Sequence, residues 1–177
     1  MISIRPIQLK DLPAYQHWSQ PHHAHHSFNA PYVNKNSSEE IAQLIHEIEY
    51  DLRKGKDALP DRKMIVDPNE NLIGEVTYYW KSIETNWMEV GIIIFDETYW
   101  GRGLGTQALK LWITELFKSH PELVRIGLST WSGNTGMVKV ASKLGMKQEA
   151  CYQNALIVNG SYFDSVSFGL LREEWAS

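Results

Sequence analysis

The chain has 177 residues, 43% hydrophobic and 21% charged, with a formal net charge of −4. That length suits one domain, 1–177, with a substantial core, and the acidic balance speaks against a nucleic-acid partner, which a basic excess would signal. Twelve Gly, seven Pro and one Cys exclude collagen-like, disordered and disulfide-scaffold classes. No apolar run approaches bilayer length, since the longest, residues 90–95, is strand-sized. The opening MISIRPIQLKDLP has no apolar signal core. Neither a membrane partner nor export is expected, and a lone Cys151 fits a reducing, cytoplasmic setting.

In chain order, residues 2–7 alternate weakly and meet Pro6, which cannot donate to a ladder, predicting a short edge strand. Asp11-Leu-Pro13 predicts a helix start, with Asp11 as the N-cap and Pro13 in the first turn. Residues 17–32, HWSQPHHAHHSFNAPY, predict an irregular segment holding two prolines and five histidines. Ser37-Ser-Glu-Glu40 is a capping box, and Ile41, Leu44, Ile45, Ile48 and Leu52 follow at helical spacing as far as Gly55.

The period then changes. Residues 62–66 and 72–80 read as strands joined by the turn residues Asp67-Pro-Asn-Glu-Asn71. Residues 87–95 are apolar on both faces, which predicts a central, buried strand. Residues 104–117 form a helix with Leu104, Ala108, Leu111 and Trp112 on one face. Residues 123–131 are a second buried strand. Residues 134–144 form a helix that aligns Met137, Val140, Ala141 and Leu144 and stops at Gly145. Residues 147–158 and 161–171 are strands joined by Asn159-Gly160, a strong hairpin signal. The predicted order is β-α-α-β-β-β-α-β-α-β-β, a mixed α/β (α+β) chain with a βαβ crossover in its middle.

The most informative run is residues 93–109, IIFDETYWGRGLGTQAL, in which a buried strand enters a loop carrying Gly101, Gly103 and Gly105 and leaves as a helix. Alternate glycines let backbone approach a ligand closely, and amides at a helix N-terminus attract an anion such as a pyrophosphate. A P-loop would need Lys-Ser/Thr after its last glycine, and none follows. A dinucleotide-binding loop would be GxGxxG on the first βα unit, whereas this GxGxG follows several antiparallel strands. By spacing alone, a pyrophosphate cradle and a glycine turn that holds nothing both remain open.

Tyr99-Trp-Gly-Arg-Gly-Leu-Gly-Thr106 resembles the acetyl-CoA pyrophosphate loop, Q/R-x-x-G-x-G/A, of the GNAT superfamily of N-acetyltransferases. Asn134-Thr-Gly-Met-Val-Lys-Val-Ala-Ser-Lys-Leu-Gly-Met146 looks like that family's N-x-x-S-x-x-x-x-x-K-x-G-F helix. Asn159-Gly-Ser-Tyr-Phe-Asp164 and Leu171-Arg-Glu-Glu-Trp175 look like the final hairpin of its ribosomal-protein N-terminal (alanine/serine) acetyltransferase branch. The resemblance implies a mostly antiparallel central sheet of about seven strands flanked by about four helices, acetyl-CoA as co-substrate and no metal. It also implies an amine acceptor, either a peptide N-terminus or a small cationic amine such as a polyamine or aminoglycoside. Backbone groups of Ile93 and Phe95 would pair with the pantetheine arm, the amides of Trp100, Gly101, Arg102, Gly103, Leu104, Gly105 and Thr106 would hold the pyrophosphate, and Asn134 would bond the pantetheine or acetyl end. Three positions depart from the family pattern. Trp100 replaces Gln or Arg, Met137 replaces a common Ser, and Ala141 stands where many members carry the Tyr that protonates the thiolate. A CoA-binding module without turnover is the alternative those departures leave open.

Acetyl transfer to an amine needs a group to take the ammonium proton. Glu89 interrupts the apolar run of residues 87–92 and is the first candidate, its alternatives being a solvent-facing residue or a partner of Arg125; Glu75 is second. Tyr152 and Tyr162 are candidate acids by type, with a buried hairpin anchor as the alternative. His22-His-Ala-His-His26 looks like a metal tract, but in a Pro-flanked loop it reads as solvated or acceptor-gating histidines. Cys151 reads as a small core residue. Glu39, Glu40, Glu47, Glu49 and Asp51 form either a solvated helix face or an acidic wall over the acceptor. Related folds dimerise through C-terminal elements, where Phe163, Phe168 and Trp175 would contribute to a homodimer unless they are core.

Overall fold

The protein is described by a computed structural model covering residues 1–28 and 35–175; residues 29–32 of the expected irregular segment lie outside it. The elements are β1 (Ser3–Arg5), α1 (Leu12–Ser19), α2 (Ser38–Arg53), β2 (Arg62–Val66), β3 (Leu72–Ser82), β4 (Trp87–Ile94), α3 (Leu104–Ser119), β5 (Arg125–Trp131), α4 (Thr135–Lys143), β6 (Lys147–Val158) and β7 (Ser161–Leu171). Seven strands form one sheet in the order β1-β2-β3-β4-β5-β7-β6, antiparallel everywhere except between β4 and β5. That parallel pair is the expected crossover, made by α3. A parallel connection needs a dozen or more residues, and the helix supplies them.

Local signals hold where they are chemically complete. Ser37 Oγ accepts from the Glu40 amide at 3.2 Å while Glu40 Oε2 accepts from the Ser37 amide at 2.7 Å, a closed capping box at the head of α2. Asn159 and Gly160 both take positive φ, 50° and 79°, as a two-residue turn matched to strand twist requires. Asp11 does not cap α1 through its side chain. Its carboxylate, 3% exposed, is held by Arg5 Nη1 and Nη2 at 2.7 and 2.9 Å and by the Gln8 amide at 2.8 Å, and a 3₁₀ turn, Leu9–Asp11, precedes the helix.

Two apolar clusters cover opposite faces of the sheet. The larger joins Met88, Val90, Ile126 and Leu128 to α3 and α4. The smaller packs Met64, Leu72 and Phe95 under α1 and α2. In α3 the buried stripe is Ala108, Leu109, Trp112, Ile113, Leu116 and Phe117, while Leu111, expected inside, is 43% exposed. The predicted stripe is therefore rotated from the real one by part of a turn.

The hairpin of β6 and β7 corrects the expectations for Cys151, Tyr152 and Tyr162. Cys151 is exposed rather than core, because β6 is the edge strand and most of its residues face solvent. Tyr152 and Tyr162 are 63% and 65% exposed and anchor nothing. Phe168 is buried in the core, Phe163 packs edge-on against Trp131 at 4.8 Å, and Trp175 Nε1 donates to Thr114 Oγ1 at 3.2 Å, so all three are engaged within the chain. No helix among the described residues is long and apolar enough to cross a membrane.

Candidate active site

β4 and β5 pair only from Trp87↔Arg125 to Glu89↔Gly127. Beyond that point β4 stays with β3 through Gly74↔Ile94, and β5 stays with β7 through Trp131↔Ser165. The two strands diverge, and a groove of about 830 Å³ passes through the opening. Its walls come from β4 and β5, the glycine loop, α4 and the segment before residue 29, with Phe28, Tyr79, Ile92, Trp100, Trp131 and Lys139 among them.

Which backbone groups face the opening follows from strand alternation. The Phe95 amide donates to the Ile73 carbonyl at 2.9 Å, and the Phe95 carbonyl accepts from His25 Nδ1 at 3.1 Å. Phe95 is thus turned away from β5 and fully engaged. In an antiparallel ladder alternate residues point the same way, so Ile93, opposite Glu75, also directs its amide and carbonyl to β3. The groups left for a ligand in the opening are those of Ile92 and the amide of Ile94, whose carbonyl accepts from Trp100 Nε1. The expectation for Ile93 and Phe95 is displaced by one residue, because a strand apolar on both faces does not reveal its phase.

The glycine loop is built to leave amides free. Asp96 Oδ1 accepts from the Thr98 amide at 2.8 Å and fixes a 3₁₀ turn, Glu97–Tyr99. Trp100 Nε1 then donates to the Ile94 carbonyl at 2.9 Å. Gly101 and Gly103 follow with φ of 75° and 78°, and Gly103 heads α3 with no side-chain cap. A Cβ added at either would meet nothing within 4 Å, so the cradle is open space. The first helical bond reaches Gly103 from the Gln107 amide, which leaves Leu104, Gly105 and Thr106 without helical partners for their amides. Free amides and a helix dipole suit an anion. Lys139 and Lys143 add positive charge from α4. Neither is marked by type in the sequence, although their i,i+4 spacing beyond Asn134 signals that they share a face. Arg102 is stacked over the Tyr99 ring at 5.6 Å instead of lining the groove.

On α4, Asn134 lines the groove, but its side-chain oxygen already caps the helix by accepting from the Met137 amide at 3.1 Å. Only its amide NH₂ remains for a ligand. Ala141 is fully buried, and Met137 and Val140 present apolar wall where a hydroxyl was sought.

Glu89 is neither solvent-facing nor paired with Arg125, which binds Glu149. It is 2% exposed at the apex of the opening. Tyr79 Oη donates to Glu89 Oε2 in a short hydrogen bond, Ser129 Oγ donates to Oε1 at 3.1 Å, and Lys81 Nζ lies 3.3 Å from Oε1. Gly127 makes room for it, since a Cβ there would stand 3.3 Å from Glu89 Cγ. Glu75 lies elsewhere, 6% exposed under α1, accepting from Tyr15 Oη at 3.1 Å and from Arg62. Burial pushes its carboxyl above the ordinary range against the pull of Arg62.

His25 is buried in a 3₁₀ turn, Ala24–Phe28, and reaches the groove. Burial lowers its pKa to about 4, so it is neutral rather than solvated. His23 and His26 are lowered for the same first reason. Among the described residues no three His, Cys, Asp or Glu side chains are arranged to hold a metal ion. The acidic residues of α2 do not line the groove. Glu40 closes the capping box, Glu47 accepts from Gln43, Glu49 pairs with Arg53 and Asp51 with Lys56.

The sequence profile of the GNAT acetyltransferase domain matches residues 2–147. The chain belongs to that family. YdaF of Bacillus subtilis (strain 168), whose name assigns it to ribosomal N-acetylation, is 33% identical over 87 residues, 49% of this chain and 46% of that protein. The chain spans 46–64% of the length of the curated relatives it matches. Among solved structures, ribosomal-protein-S5-alanine acetyltransferase from Vibrio fischeri superposes with a TM-score of 0.73 at 23% identity, covering 99% of this chain and 96% of that one. Spermidine N-acetyltransferase from Vibrio cholerae, solved with CoA and spermine, superposes with a TM-score of 0.72 at 20% identity, covering 98% and 96%. Both show the GNAT fold of this chain.

Proposed function

We propose that this GNAT protein transfers an acetyl group from acetyl-CoA to a primary amine, with a peptide N-terminus as the acceptor. The reading is carried by the opening between β4 and β5, which connects an amide-lined, glycine-bordered cradle to the hydroxyl partners of a buried carboxylate. The cradle fits a pyrophosphate in size and polarity. The Trp100 amide donates to the Glu97 carbonyl at 3.0 Å and is not available. The amides of residues 101–106 would therefore hold the pyrophosphate, Lys139 and Lys143 would balance its charge, and Ile92 and Ile94 would offer backbone groups to the pantetheine arm. Bound there, acetyl-CoA supplies an activated acyl carbon and a sulfur leaving group. The chain's own residues orient the amine, exclude water and remove a proton. In this reading Glu89 is the final acceptor of that proton.

Two observations favour a peptide N-terminus over a polyamine or aminoglycoside. Among the described residues the groove is lined without a single Asp or Glu, whereas a polycation needs several carboxylates along its length. Phe28, Tyr79 and Trp131 instead give apolar and aromatic walls suited to one amine on a short chain. The name of YdaF points the same way. Release of CoA thiol should be followed across peptides with free N-termini, polyamines and aminoglycosides. Turnover confined to peptides is expected. Turnover confined to polyamines would overturn the acceptor, and silence on all amines with CoA still bound would favour a binding module.

A further inference from the structure

Glu89 sits at the apex of the opening but makes no part of the groove wall. The wall there is formed by its two hydroxyl partners, Tyr79 and Ser129. Tyr79 is opposite Glu89 in the β3–β4 register. Met88 and Val90 pack into the cluster shared with α3, so Glu89 and its partners lie on the other face of the sheet. The glycine cradle stands at the head of α3. A donor held by the cradle enters the opening from the α3 face, and an amine must come from the face that carries Tyr79.

Among the described residues no other ionisable hydroxyl serves that position. Met137 and Val140 line the α4 side, Tyr152 and Tyr162 stand outside the groove, and Tyr99 belongs to the glycine loop. Ser129 Oγ already shares a 2.9 Å hydrogen bond with Ser167 Oγ. A phenol, with an ordinary pKa near 10, also passes a proton more readily than an alcohol does.

Resting on the acetyl-transfer reading above, we infer that Tyr79 is a catalytic residue that takes the proton from the acceptor amine while handing its own to Glu89. The amine nitrogen bonds the acetyl carbon, and the carbon–sulfur bond breaks with its electron pair on sulfur. The amine proton moves to Tyr79 Oη and the phenolic proton to Glu89 Oε2. Glu89 then releases that proton to water, and the second proton, which the nitrogen sheds on acylation, passes through water to the thiolate. Lys81 Nζ lies 3.3 Å from Oε1, beside the carboxylate that receives the proton. Burial and the neighbouring carboxylate push the Tyr79 hydroxyl upward, so it stays protonated at rest and yields a proton only as it gains one.

Groups that act as one relay lose activity together rather than in proportion. Tyr79→Phe, Glu89→Gln and the double variant should be compared by kcat, by its pH profile and by calorimetric CoA affinity. Tyr79→Phe should lower kcat about 10- to 100-fold, with CoA affinity within about twofold. The rise of kcat with pH should flatten in both single variants, and the double variant should be no slower than the slower single one. Losses that multiply in the double variant would overturn it, as would a Tyr79→Phe enzyme within about twofold of wild type. A wild type that binds CoA yet acetylates no amine would instead sink the acetyl-transfer reading and the relay with it.

Discussion

Trp100 Nε1 donates to the carbonyl of Ile94 at 2.9 Å, tying the glycine loop to the last residue of β4 on the edge that faces β5. The indole also packs edge-on against Phe28 at 5.1 Å, so one side chain links loop, strand and groove wall. Where the family pattern prefers Gln or Arg, this chain uses an aromatic ring as a brace. Trp100→Phe keeps the ring and removes the donor. A neutral hydrogen bond contributes about 1 kcal/mol net, so CoA affinity should fall roughly fivefold with the melting temperature nearly unchanged. Calorimetry reads this directly, and unchanged affinity would mean that the loop holds its shape without the brace.

Gly103 gives a sharper test. Its φ of 78° costs a side chain about 1 kcal/mol or more, and the space beside it is open. Gly103→Ala should therefore weaken CoA binding modestly, through strain alone. Gly103→Glu adds an anion to the phosphate cradle and should weaken binding by more than tenfold, about 1.4 kcal/mol. Equal affinities in the two variants would show that no phosphate lies there.

The signals that the sequence carried plainly are those closed within a few residues. The Ser37–Glu40 capping box, the Asn159-Gly160 turn and the glycine loop heading α3 each contain their own partners. What was displaced or missed depends on pairing across the sheet. Ile93 and Phe95 took the wrong phase because β4 is buried on both faces and offers no alternation to read. Glu89 was legible as an oddity in an apolar run, but its link to Tyr79 exists only through the β3–β4 register. Tyr79 therefore looked like one strand aromatic among several, while Tyr152 and Tyr162, on the exposed hairpin, drew attention by type. Cys151 was misjudged for a related reason. Nothing local marks β6 as an edge strand, because the order β5-β7-β6 is set by which strand pairs with β5.

Glu75, the second candidate base, is a structural anchor. It holds Tyr15 of α1 and Arg62 of β2 in a buried cluster away from the apex. Glu75→Ala leaves the Arg62 guanidinium with only Asp61 and the Tyr15 hydroxyl and should cost about 3 kcal/mol of stability, visible as a lower urea midpoint. Activity per folded molecule should stay within about twofold at a temperature where the variant is folded. A large drop in kcat without loss of stability would restore Glu75 as a catalytic candidate.

Glu89→Gln keeps the shape and removes the charge. Amines with pKa well above 7 are mostly protonated and cannot attack, so losing the final proton acceptor should lower kcat/KM by about 10² to 10⁴. CoA affinity should change little, since Glu89 lies behind Tyr79 and Ser129 and away from the cradle. The rise of kcat/KM with pH should flatten to the part set by deprotonation of the free amine in solution. An activity within threefold of wild type at pH 7 would remove Glu89 from the chemistry.

His25 makes stability depend on pH in a direction the structure fixes. Burial lowers its pKa to about 4, below the ordinary value near 6.5 of the unfolded chain. Between those two values the unfolded state binds the extra proton and the folded state does not, so acid favours unfolding. The contribution of neutral His25 is fully present above about pH 6.5 and is lost as pH falls toward 4. It amounts to about 2 kcal/mol. His25→Phe removes the titration together with the hydrogen bond to the Phe95 carbonyl. The variant should be less stable than wild type at pH 7.5 but should lose less on going to pH 4.5. His23 and His26, lowered in the same direction, add to the slope in both proteins. Urea midpoints of both proteins at the two pH values measure the difference. If the variant loses as much stability as wild type, His25 is not the group that titrates.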